Sequence, residues 1–360
     1  MGARILIVKL GAVGDVVYTM PMLNAVKFLL PDARISWIAG DSCVDLLQGH
    51  PALSHLVVVD DGQFYAASPL ARLKEVAKLL RGVEKSYDLI LIGHRDPAYA
   101  LALRAFVRGP IYQVARSRAN SLSTQVLVPP HSVHEGEAMR RLLRAGLDKL
   151  GHRDDFPWTA DFSHVGEPTQ NLPSPFVIVH VGGGSNVKTR FELKQWPHTS
   201  RFIVQLMNSW KHAIVLIGSP GERAEADRIL GQLAGRFEAS PEGSLIHDFV
   251  GKTSLRDLVG LIRSARLFIG PDSGPLHIAD ALGIPAVGLY GPTSTVSWGL
   301  VGASSRILSE DVECSPCYKD DGVFPPCPHA QKCMVNLSPD RVLAASLQLL
   351  SAAAPHLRGA

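Results

Sequence analysis

The chain has little charge, few cysteines and no long uncharged apolar run. Asp, Glu, Lys and Arg make up only 19% of its 360 residues, whereas hydrophobic residues make up 46%. An intrinsically disordered protein would carry more charge and too few apolar side chains for a core, so this class is excluded. The 32 glycines and 25 prolines follow no period, which excludes collagen-like and low-complexity proteins as well.

Membrane-spanning and secreted proteins are also not indicated. No stretch of about 18 apolar residues is free of charge and of Gly or Pro, so we expect no transmembrane helix. The apolar start at 5–8 is interrupted by Lys9 and then Asp15 before the core of a signal peptide could form. We therefore expect a cytoplasmic protein with at most peripheral contact with the inner face of the cytoplasmic membrane.

The charge pattern does not indicate a nucleic-acid partner. Lys and Arg number 36 and Asp and Glu number 33, so the net charge is only +3, and no block of like charges stands out. A nucleic-acid-binding protein normally carries a dense basic stripe. The weak basic excess is compatible with an acidic small molecule as ligand.

What is present is an alternation of short apolar runs with longer segments of helical period. This pattern is typical of βα units whose parallel sheet is covered on both faces, so the predicted class is α/β. In the first half, strands are predicted at 4–10, 35–39, 55–59, 89–92 and near Val126. The predicted helices are 15–30, bent at Pro21, and 70–80 and 135–150.

The alternation restarts after a proline-containing linker at 151–175, and a length of 360 residues favours two domains. In the second half, strands are predicted at 176–181, 213–217, 248–250, 266–269 and 285–289, and helices at 199–209, 222–233, 254–264 and 276–282. Two such doubly wound domains, facing each other across a cleft, would bind a ligand at the carboxyl ends of their strands.

The first turn between strand and helix holds Gly11, Gly14 and Asp15. A dinucleotide site needs the spacing G-x-G-x-x-G and no adjacent carboxylate that repels phosphate, so this turn does not fit. An acidic side chain at this place suits proton transfer. The alternative is that Asp15 only caps the helix that follows.

A glycine-rich loop in the second half, GGGSNVKT at 182–189, is a first candidate for anion binding. It is not a P-loop, because Val187 stands where glycine is required. Its glycines are followed by Lys188, Arg190 and Lys194, which could surround an anion or belong to a solvated surface loop.

A second candidate loop, GPDSGPLH at 270–277, lies between a predicted strand and a predicted helix. Ser273 and Gly274 leave backbone N–H groups available at the helix start, and Pro275 suits the first turn. A diphosphate can bind at this positive end of the helix dipole. Asp272 could instead be only a cap, and His277 could be packed beneath the loop.

Four segments in this order resemble glycosyltransferase family 9, the ADP-heptose:lipopolysaccharide heptosyltransferases. They are VKLGAVGDVVYTMPML at 8–23, HVGGGSNVKTRFELKQWP at 180–197, DFVGKTSL at 248–255 and GPDSGPLHIADALGIPAVGLYGPT at 270–293. The resemblance implies a GT-B fold with an acceptor-binding domain at 1–165, a nucleotide-sugar domain at 175–335 and a C-terminal helix at 336–360 that packs back toward the first domain. It also implies inverting, metal-independent transfer of heptose from ADP-heptose to the lipopolysaccharide inner core, with no cofactor.

The resemblance further implies roles for individual residues. Asp15 matches the general base that deprotonates the acceptor hydroxyl, and Lys194 matches the group that neutralises charge on the leaving diphosphate. The implied nucleotide-sugar site comprises Gly183, Gly184, Glu222 at the ribose, Thr253 beside the adenine, and the diphosphate loop with Asp272, Ser273, Gly274 and His277. For Glu222 the alternative is a first-turn glutamate stabilised by the helix dipole.

The acceptor is the least specified part of the resemblance. The segment 93–97 departs from the family pattern, and Arg95, Arg116 and Arg118 are candidates for gripping an acidic acceptor, although exposed arginines are common. The same fold could serve another nucleotide-sugar donor, a non-core glycan acceptor, or a nucleotide-binding regulator that lacks the chemistry.

Four of the five cysteines are clustered near the C-terminus: Cys314, Cys317, Cys327 and Cys333. Their spacing could form a tetrahedral zinc site, although the second pair is not C-x-x-C. The alternatives are reduced buried thiols and, less suited to the cytoplasm, disulfides.

Overall fold

The computed structural model describes residues 2–60, 62, 64, 82–117, 123–130, 132–166, 172, 174–184, 192–235, 245–318 and 324–352. The chain divides into two compact units, unit 1 (Met1–Val165) and unit 2 (Gly166–Ala360). The division falls inside the segment predicted as a linker. Each unit contains its own parallel sheet, so the predicted α/β class with two doubly wound halves is confirmed.

Unit 1 is built on a six-stranded parallel sheet in the order β3-β2-β1-β4-β5-β6. The strands are β1 (Arg4–Val8), β2 (Arg34–Gly40), β3 (His55–Val59), β4 (Leu89–Ile92), β5 (Ile111–Val114) and β6 (Gln125–Leu127). The described helices are Val13–Thr19, Pro21–Leu29, Ala98–Arg104 and Glu135–Lys149, with a 3-10 turn at Asp41–Leu46. The strand order reverses between β1 and β4, and sheets of this kind bind ligands beyond the carboxyl ends of the strands at that point.

The two central strands of unit 1 place its candidate residues. β1 and β4 are covered on both faces, so their side chains are apolar without alternation, and Ile5, Leu6 and Ile7 are fully buried. Their parallel register pairs Val8 with Ile92. The residues that follow these strands therefore leave the sheet side by side.

The predicted helix at 15–30 is wrong in its extent. The structure has two helices, Val13–Thr19 and Pro21–Leu29, with Pro21 at the start of the second. Proline lacks the backbone N–H that a helix interior needs, but at the first helical position that N–H has no partner in any case. The proline therefore begins a new helix rather than bending one.

Unit 2 repeats the architecture with the strand order β12-β11-β10-β7-β8-β9. The strands are β7 (Phe176–His180), β8 (Ala213–Ile217), β9 (Ile246–Asp248), β10 (Leu267–Pro271), β11 (Ala286–Tyr290) and β12 (Ser305–Ser309). The described helices are Thr199–Ser209, Arg223–Leu233, Leu255–Ser264, Gly274–Ala281, Thr295–Trp298, Lys332–Val335 and Pro339–Ala352, with 3-10 turns at Glu192–Lys194 and Pro220–Glu222. Read in the opposite direction, from β9 to β12, the strand order is the same as in unit 1, with β7 in the place of β1 and β10 in the place of β4. The strand order therefore reverses between β7 and β10.

Strands β5 and β12 were not predicted from the sequence. β5 carries the polar Gln113, which is nevertheless fully buried, so its apolar run is interrupted. β12 is an edge strand whose residues are only partly buried or exposed, so it lacks the apolar run of a central strand. The predicted helix at 70–80 lies outside the described residues.

The last described helix, Pro339–Ala352, packs within unit 2 against the helix Thr199–Ser209 and against β10 and β11. Its buried residues include Val342, Leu349 and Leu350. The predicted contact of the C-terminal segment with the first domain stays a prediction. Among the described residues, no helix combines the length and the apolar character needed to cross a membrane.

Candidate functional site

Asp15 lies in the first turn of the helix Val13–Thr19, but it does not cap this helix. The capping position is Ala12, and no side chain bonds to the free N–H groups there. The Asp15 carboxylate instead lies 3.1 Å from the Nζ atom of Lys9, and one third of its side chain is exposed. A partly exposed, charge-paired carboxylate at the carboxyl end of β1 is accessible to a ligand.

Lys9 is the buried centre of this cluster, with only 4% of its side chain exposed. Its ammonium group donates to the carbonyl oxygen of Gly93 at 3.0 Å and contacts Glu135 Oε1 at 3.9 Å, in addition to Asp15. Arg95 in turn donates to Glu135. A buried ammonium is tolerated only when it is paired and hydrogen-bonded, and here two cations face two carboxylates.

The loop after β4 is held in place by buried polar contacts. Gln113 of β5 donates to the carbonyl oxygens of His94 at 2.9 Å and Asp96 at 2.7 Å. The His94 ring accepts from the backbone N–H of Leu10 at 2.8 Å and stacks on Tyr99 at 4.2 Å. Gln113, which interrupts the apolar pattern of β5, therefore holds the loop that carries Arg95.

Of the three arginines considered for the acceptor, the structure places two. Arg95 is engaged by the buried Glu135, whereas Arg116 is exposed just beyond β5. Arg118 lies outside the described residues, as do Lys188 and Arg190 of the second half.

In unit 2, Asp272 follows β10 directly and is buried between two basic side chains. Lys194 Nζ donates to its Oδ2 and to its carbonyl oxygen, both at 3.0 Å, and His277 Nε2 lies 2.9 Å from its Oδ1. Burial alone would raise the pKa of Asp272, but Lys194 and His277 outweigh it and hold this pKa well below its ordinary range. The carboxylate is therefore ionised and ties Lys194 to the loop.

A second buried line of polar groups joins Ser273, His180 and Glu222. The Ser273 hydroxyl lies 3.0 Å from His180 Nδ1, and His180 Nε2 lies 3.4 Å from Glu222 Oε2. Ser273 precedes the helix Gly274–Ala281 but does not use its side chain to cap it. The hydroxyl is thus turned toward His180 rather than toward the first turn of its own helix.

Glu222 is bound from several sides by unit 2 itself. Its Oε1 accepts from the Gly184 N–H at 2.7 Å and its Oε2 accepts from the Ser219 N–H at 2.6 Å, as part of a capping box. Burial opposes ionisation, but His180 and these two N–H groups lower the pKa of Glu222 to about 2. Through its bond to Ser219, Glu222 also stabilises the start of the turn Pro220–Glu222, which agrees with the alternative of a glutamate at a helix start.

Two glycines make room for this line of side chains. A Cβ atom on Gly182 would lie 1.7 Å from Glu222 Oε1, and one on Gly270 would lie 2.7 Å from the His180 Cβ. A larger residue at Gly182 would have to displace the Glu222 side chain, and one at Gly270 would collide with the base of the His180 side chain. The glycines of this region thus serve close packing of polar side chains, a role that glycine spacing alone does not reveal.

The remaining predicted nucleotide-site residues lie in loops of unit 2. Gly183 is buried beside Gly184, and Thr253 is half-buried in the turn before the helix Leu255–Ser264. That turn is anchored by Asp248, which accepts from Arg223 at 2.8 Å and from Lys252 at 2.6 Å. Gly274 starts the helix that follows Ser273.

All five cysteines are free thiols. Cys314, Cys317, Cys327 and Cys333 line one mostly apolar cavity of about 220 Å³, together with several prolines. Burial, followed by the neighbouring thiols, raises the pKa of Cys333 to about 11. Among the described residues, no group of three or more His, Cys, Asp or Glu side chains is arranged to hold a metal ion, and the zinc site stays an untested alternative.

Sequence reasoning did not identify Lys9, Gln113, Glu135 or His180 as parts of these clusters. A polar residue inside or directly after an apolar strand was the available signal for Lys9, Gln113 and His180. Glu135 carried no signal, because an acidic residue in the first turn of a helix is common.

Comparison with known proteins identifies relatives of both units. The family model for "Glycosyltransferase family 9 (heptosyltransferase)" matches residues 125–327. Lipopolysaccharide heptosyltransferase 1 of Pseudomonas aeruginosa is 25% identical to this chain over an alignment of 382 positions. The alignment covers 99% of this chain and all of that protein.

Solved structures show the same fold. The glycosyltransferase family 9 protein of Veillonella parvula has a TM-score of 0.71 at 18% identity and covers 97% of both chains. The Escherichia coli heptosyltransferase WaaC, solved with ADP-2-deoxy-2-fluoro heptose, has a TM-score of 0.69 at 18% identity and covers 98% of this chain and all of that chain. At such low identity the likeness establishes the fold, and the predicted GT-B class is confirmed.

Proposed function

Because the chain belongs to glycosyltransferase family 9 and is therefore a glycosyltransferase, we propose that it transfers heptose from ADP-heptose to the inner core of lipopolysaccharide. The name of the Pseudomonas relative and the ligand in the WaaC structure support the sugar and the donor. Since lipopolysaccharide is a lipid, we include peripheral contact with the inner face of the membrane in this proposal.

The observation that carries the proposal is the arrangement of polar groups beyond the carboxyl end of β10. A helix N-terminus without a side-chain cap, the Ser273 hydroxyl, Lys194 and His277 all lie at this point. Backbone N–H groups and the positive end of a helix dipole bind anions, and Lys194 and His277 lie on either side of Asp272 at this helix start. This arrangement suits the diphosphate of an ADP-sugar.

Asp15 is proposed as the general base. It accepts the proton of the acceptor hydroxyl while this oxygen attacks the anomeric carbon of the donor, and the configuration at that carbon inverts. Lys9 holds the carboxylate in place from 3.1 Å. Departure of ADP is proposed to need no metal, because Lys194 and the helix N-terminus stabilise the charge that develops on the diphosphate.

For Glu222 the contacts limit the proposed role at the ribose. A carboxylate can accept at about four lone-pair positions, and Gly184, Ser219 and His180 occupy three of them. With respect to the residues that the structure describes, one position on Oε1 is left, and we propose that it accepts from one ribose hydroxyl rather than from both. Gly183, Gly184 and Thr253 keep their proposed places along the nucleotide.

The test is a transfer assay with the purified full chain, ADP-heptose and an inner-core lipopolysaccharide acceptor. ADP release that requires both substrates is the expected result, with ADP-glucose, UDP-glucose and GDP-mannose as comparison donors. Faster turnover of a UDP- or GDP-sugar would contradict the proposed donor. Release that proceeds equally well with a glycan from outside the core would contradict the proposed acceptor.

A further inference from the structure

His180 has no role in the function proposed above, although it lies between Ser273 and Glu222 in the buried line of polar groups of unit 2. It is the last residue of β7, is only 4% exposed, and is separated from Ser273 by 93 residues along the chain. Apolar strands rarely end on a buried histidine without a reason, because an imidazole must satisfy two ring nitrogens. Gly270 on the neighbouring strand leaves the space that the His180 side chain fills.

The partners of His180 determine where its protons lie. The Glu222 carboxylate accepts from the backbone N–H groups of Gly184 and Ser219, which favours its ionised form, so its Oε2 can only accept and His180 Nε2 must carry a hydrogen that points to it. In the neutral ring, Nδ1 then has no hydrogen and accepts from the Ser273 hydroxyl. In this state the Ser273 hydroxyl proton is directed inward to His180 and is not available to an anion.

We propose that His180 is a positioning residue that takes up a proton when a nucleoside diphosphate binds, which releases the Ser273 hydroxyl to donate to the diphosphate. This inference rests on the proposed function, because it places the diphosphate at the start of the helix Gly274–Ala281. One proton passes from solvent to Nδ1, and the new Nδ1–H then donates to Ser273 Oγ. The Ser273 O–H turns to a phosphate oxygen, and no covalent bond other than N–H is formed.

The surroundings of His180 favour this change when an anion arrives. Glu222 faces it from the turn Pro220–Glu222 and stabilises an imidazolium. Asp272, next to Ser273, is already neutralised by Lys194 and His277. The diphosphate adds negative charge on the far side of Ser273, so the imidazolium would lie between two anionic groups.

The test measures protons taken up on ADP binding by isothermal titration calorimetry at about pH 8, in two buffers with different heats of ionisation. At this pH the terminal phosphate of ADP has already lost its proton, so the ligand itself brings no proton to the site. The unsubstituted protein should take up a substantial fraction of one proton per ADP bound. Its affinity for ADP should fall as the pH rises, because a proton is taken up together with ADP.

His180→Gln separates this role from a merely structural one. Glutamine can donate to Glu222 and accept from Ser273, but it cannot be protonated, so the proton uptake and the pH dependence should both disappear. His212→Gln, at an exposed histidine of the same unit, is the matched control and should behave like the unsubstituted protein. Adenosine, which lacks phosphate, should bind with no proton uptake in any variant.

The outcomes are distinguishable. ADP binding without proton uptake in the unsubstituted protein would overturn this inference alone, and this measurement does not depend on any variant being folded. Equal proton uptake in the protein and in His180→Gln would assign the proton to another group and overturn it as well. A chain that binds no ADP at all would contradict the proposed function and, with it, the basis of this inference.

Discussion

At the residue scale, the proposed proton transfer depends on how one buried lysine holds one carboxylate. Lys9 contacts Asp15, Glu135 and the Gly93 carbonyl oxygen while almost fully removed from water. Such a lysine has two effects that experiments can separate. It orients the carboxylate of Asp15, and it neutralises acidic groups that would otherwise repel each other inside unit 1.

Asp15→Asn removes the base but keeps the shape of the side chain. We expect transfer to slow by about a hundred- to ten-thousand-fold, which is the usual contribution of a general base. ADP affinity should stay unchanged, because the nucleotide contacts are proposed to lie in unit 2. The measurements are steady-state ADP release and ADP calorimetry, with Asp154→Asn at an exposed aspartate as control. Turnover at the unsubstituted rate would show that Asp15 is not the base.

Lys9→Met keeps the aliphatic length and removes the charge. Because Asp15 then loses its cation and Glu135 keeps only Arg95, the free energy of unfolding should fall by up to about 3–5 kcal/mol, the usual range when one partner of a buried ion pair is removed. Urea unfolding followed by circular dichroism measures this loss. Lys149→Met, at an exposed lysine, should change the free energy by less than about 0.5 kcal/mol. Similar effects of both substitutions would contradict the importance given to the buried ammonium.

At the element scale, the helix Glu135–Lys149 reaches the sheet of unit 1 through a glycine. A Cβ atom on Gly146 would lie 2.7 Å from Leu89 Cδ2 and 2.9 Å from its Cδ1, at the start of β4. Glycine is unfavourable inside a helix, so its presence here reflects the close approach of helix and strand. The start of the same helix carries Glu135, and this approach therefore helps to place the Lys9 cluster.

Gly146→Ala tests this packing. The substitution favours the helix by up to about 1 kcal/mol, but crowding against Leu89 should outweigh the gain and destabilise the protein by about 1–3 kcal/mol. Gly231→Ala is the matched control, since Gly231 lies inside the helix Arg223–Leu233 with nothing within 4 Å of a new Cβ. It should stabilise by about 0.5–1 kcal/mol. Opposite signs of the two changes in thermal unfolding are the expected outcome, and a stabilising Gly146→Ala would refute the close contact.

At the scale of the whole molecule, the two units should respond differently to acid. Burial, and next the repulsion by His164, lower the pKa of His50 in unit 1 from 6.5 to about 4, against a small opposing effect of Asp161. The folded state then binds fewer protons than the unfolded state, so this contribution to stability is present above pH 6.5 and is lost as the pH falls toward 4. For Glu222 in unit 2, the corresponding loss runs from pH 4.5 toward 2.

We therefore expect unit 1 to lose protection at a higher pH than unit 2. Amide hydrogen exchange of peptides containing β1 and β7, followed by mass spectrometry between about pH 7 and 4, measures this order. His50→Gln should reduce the acid sensitivity of the β1 peptide and leave the β7 peptide unchanged. Earlier loss of protection in β7, or a common midpoint for both peptides, would contradict this assignment.

Local patterns in the sequence were sufficient for most of the fold. Short apolar runs such as ILIV and LILI are typical of central parallel strands, because both faces of such strands are buried, and they appear in β1 and β4. Helix boundaries followed from caps and prolines, although Pro21 started a helix where a bend was expected. The edge strand β12 escaped prediction because an edge needs no apolar run.

Which side chains form clusters was decided only by the tertiary structure. Asp15, Lys194, Asp272 and Ser273 were identifiable one by one from their loops, but each cluster also contains residues far away along the chain, as Glu135 is from Lys9 and His180 is from Ser273. Parallel strands place their carboxyl ends side by side only after the sheet has its order, and burial decides which charges must then be paired. Residue types and spacing indicate the chemistry available at each loop, whereas the sheet order determines which of these groups meet.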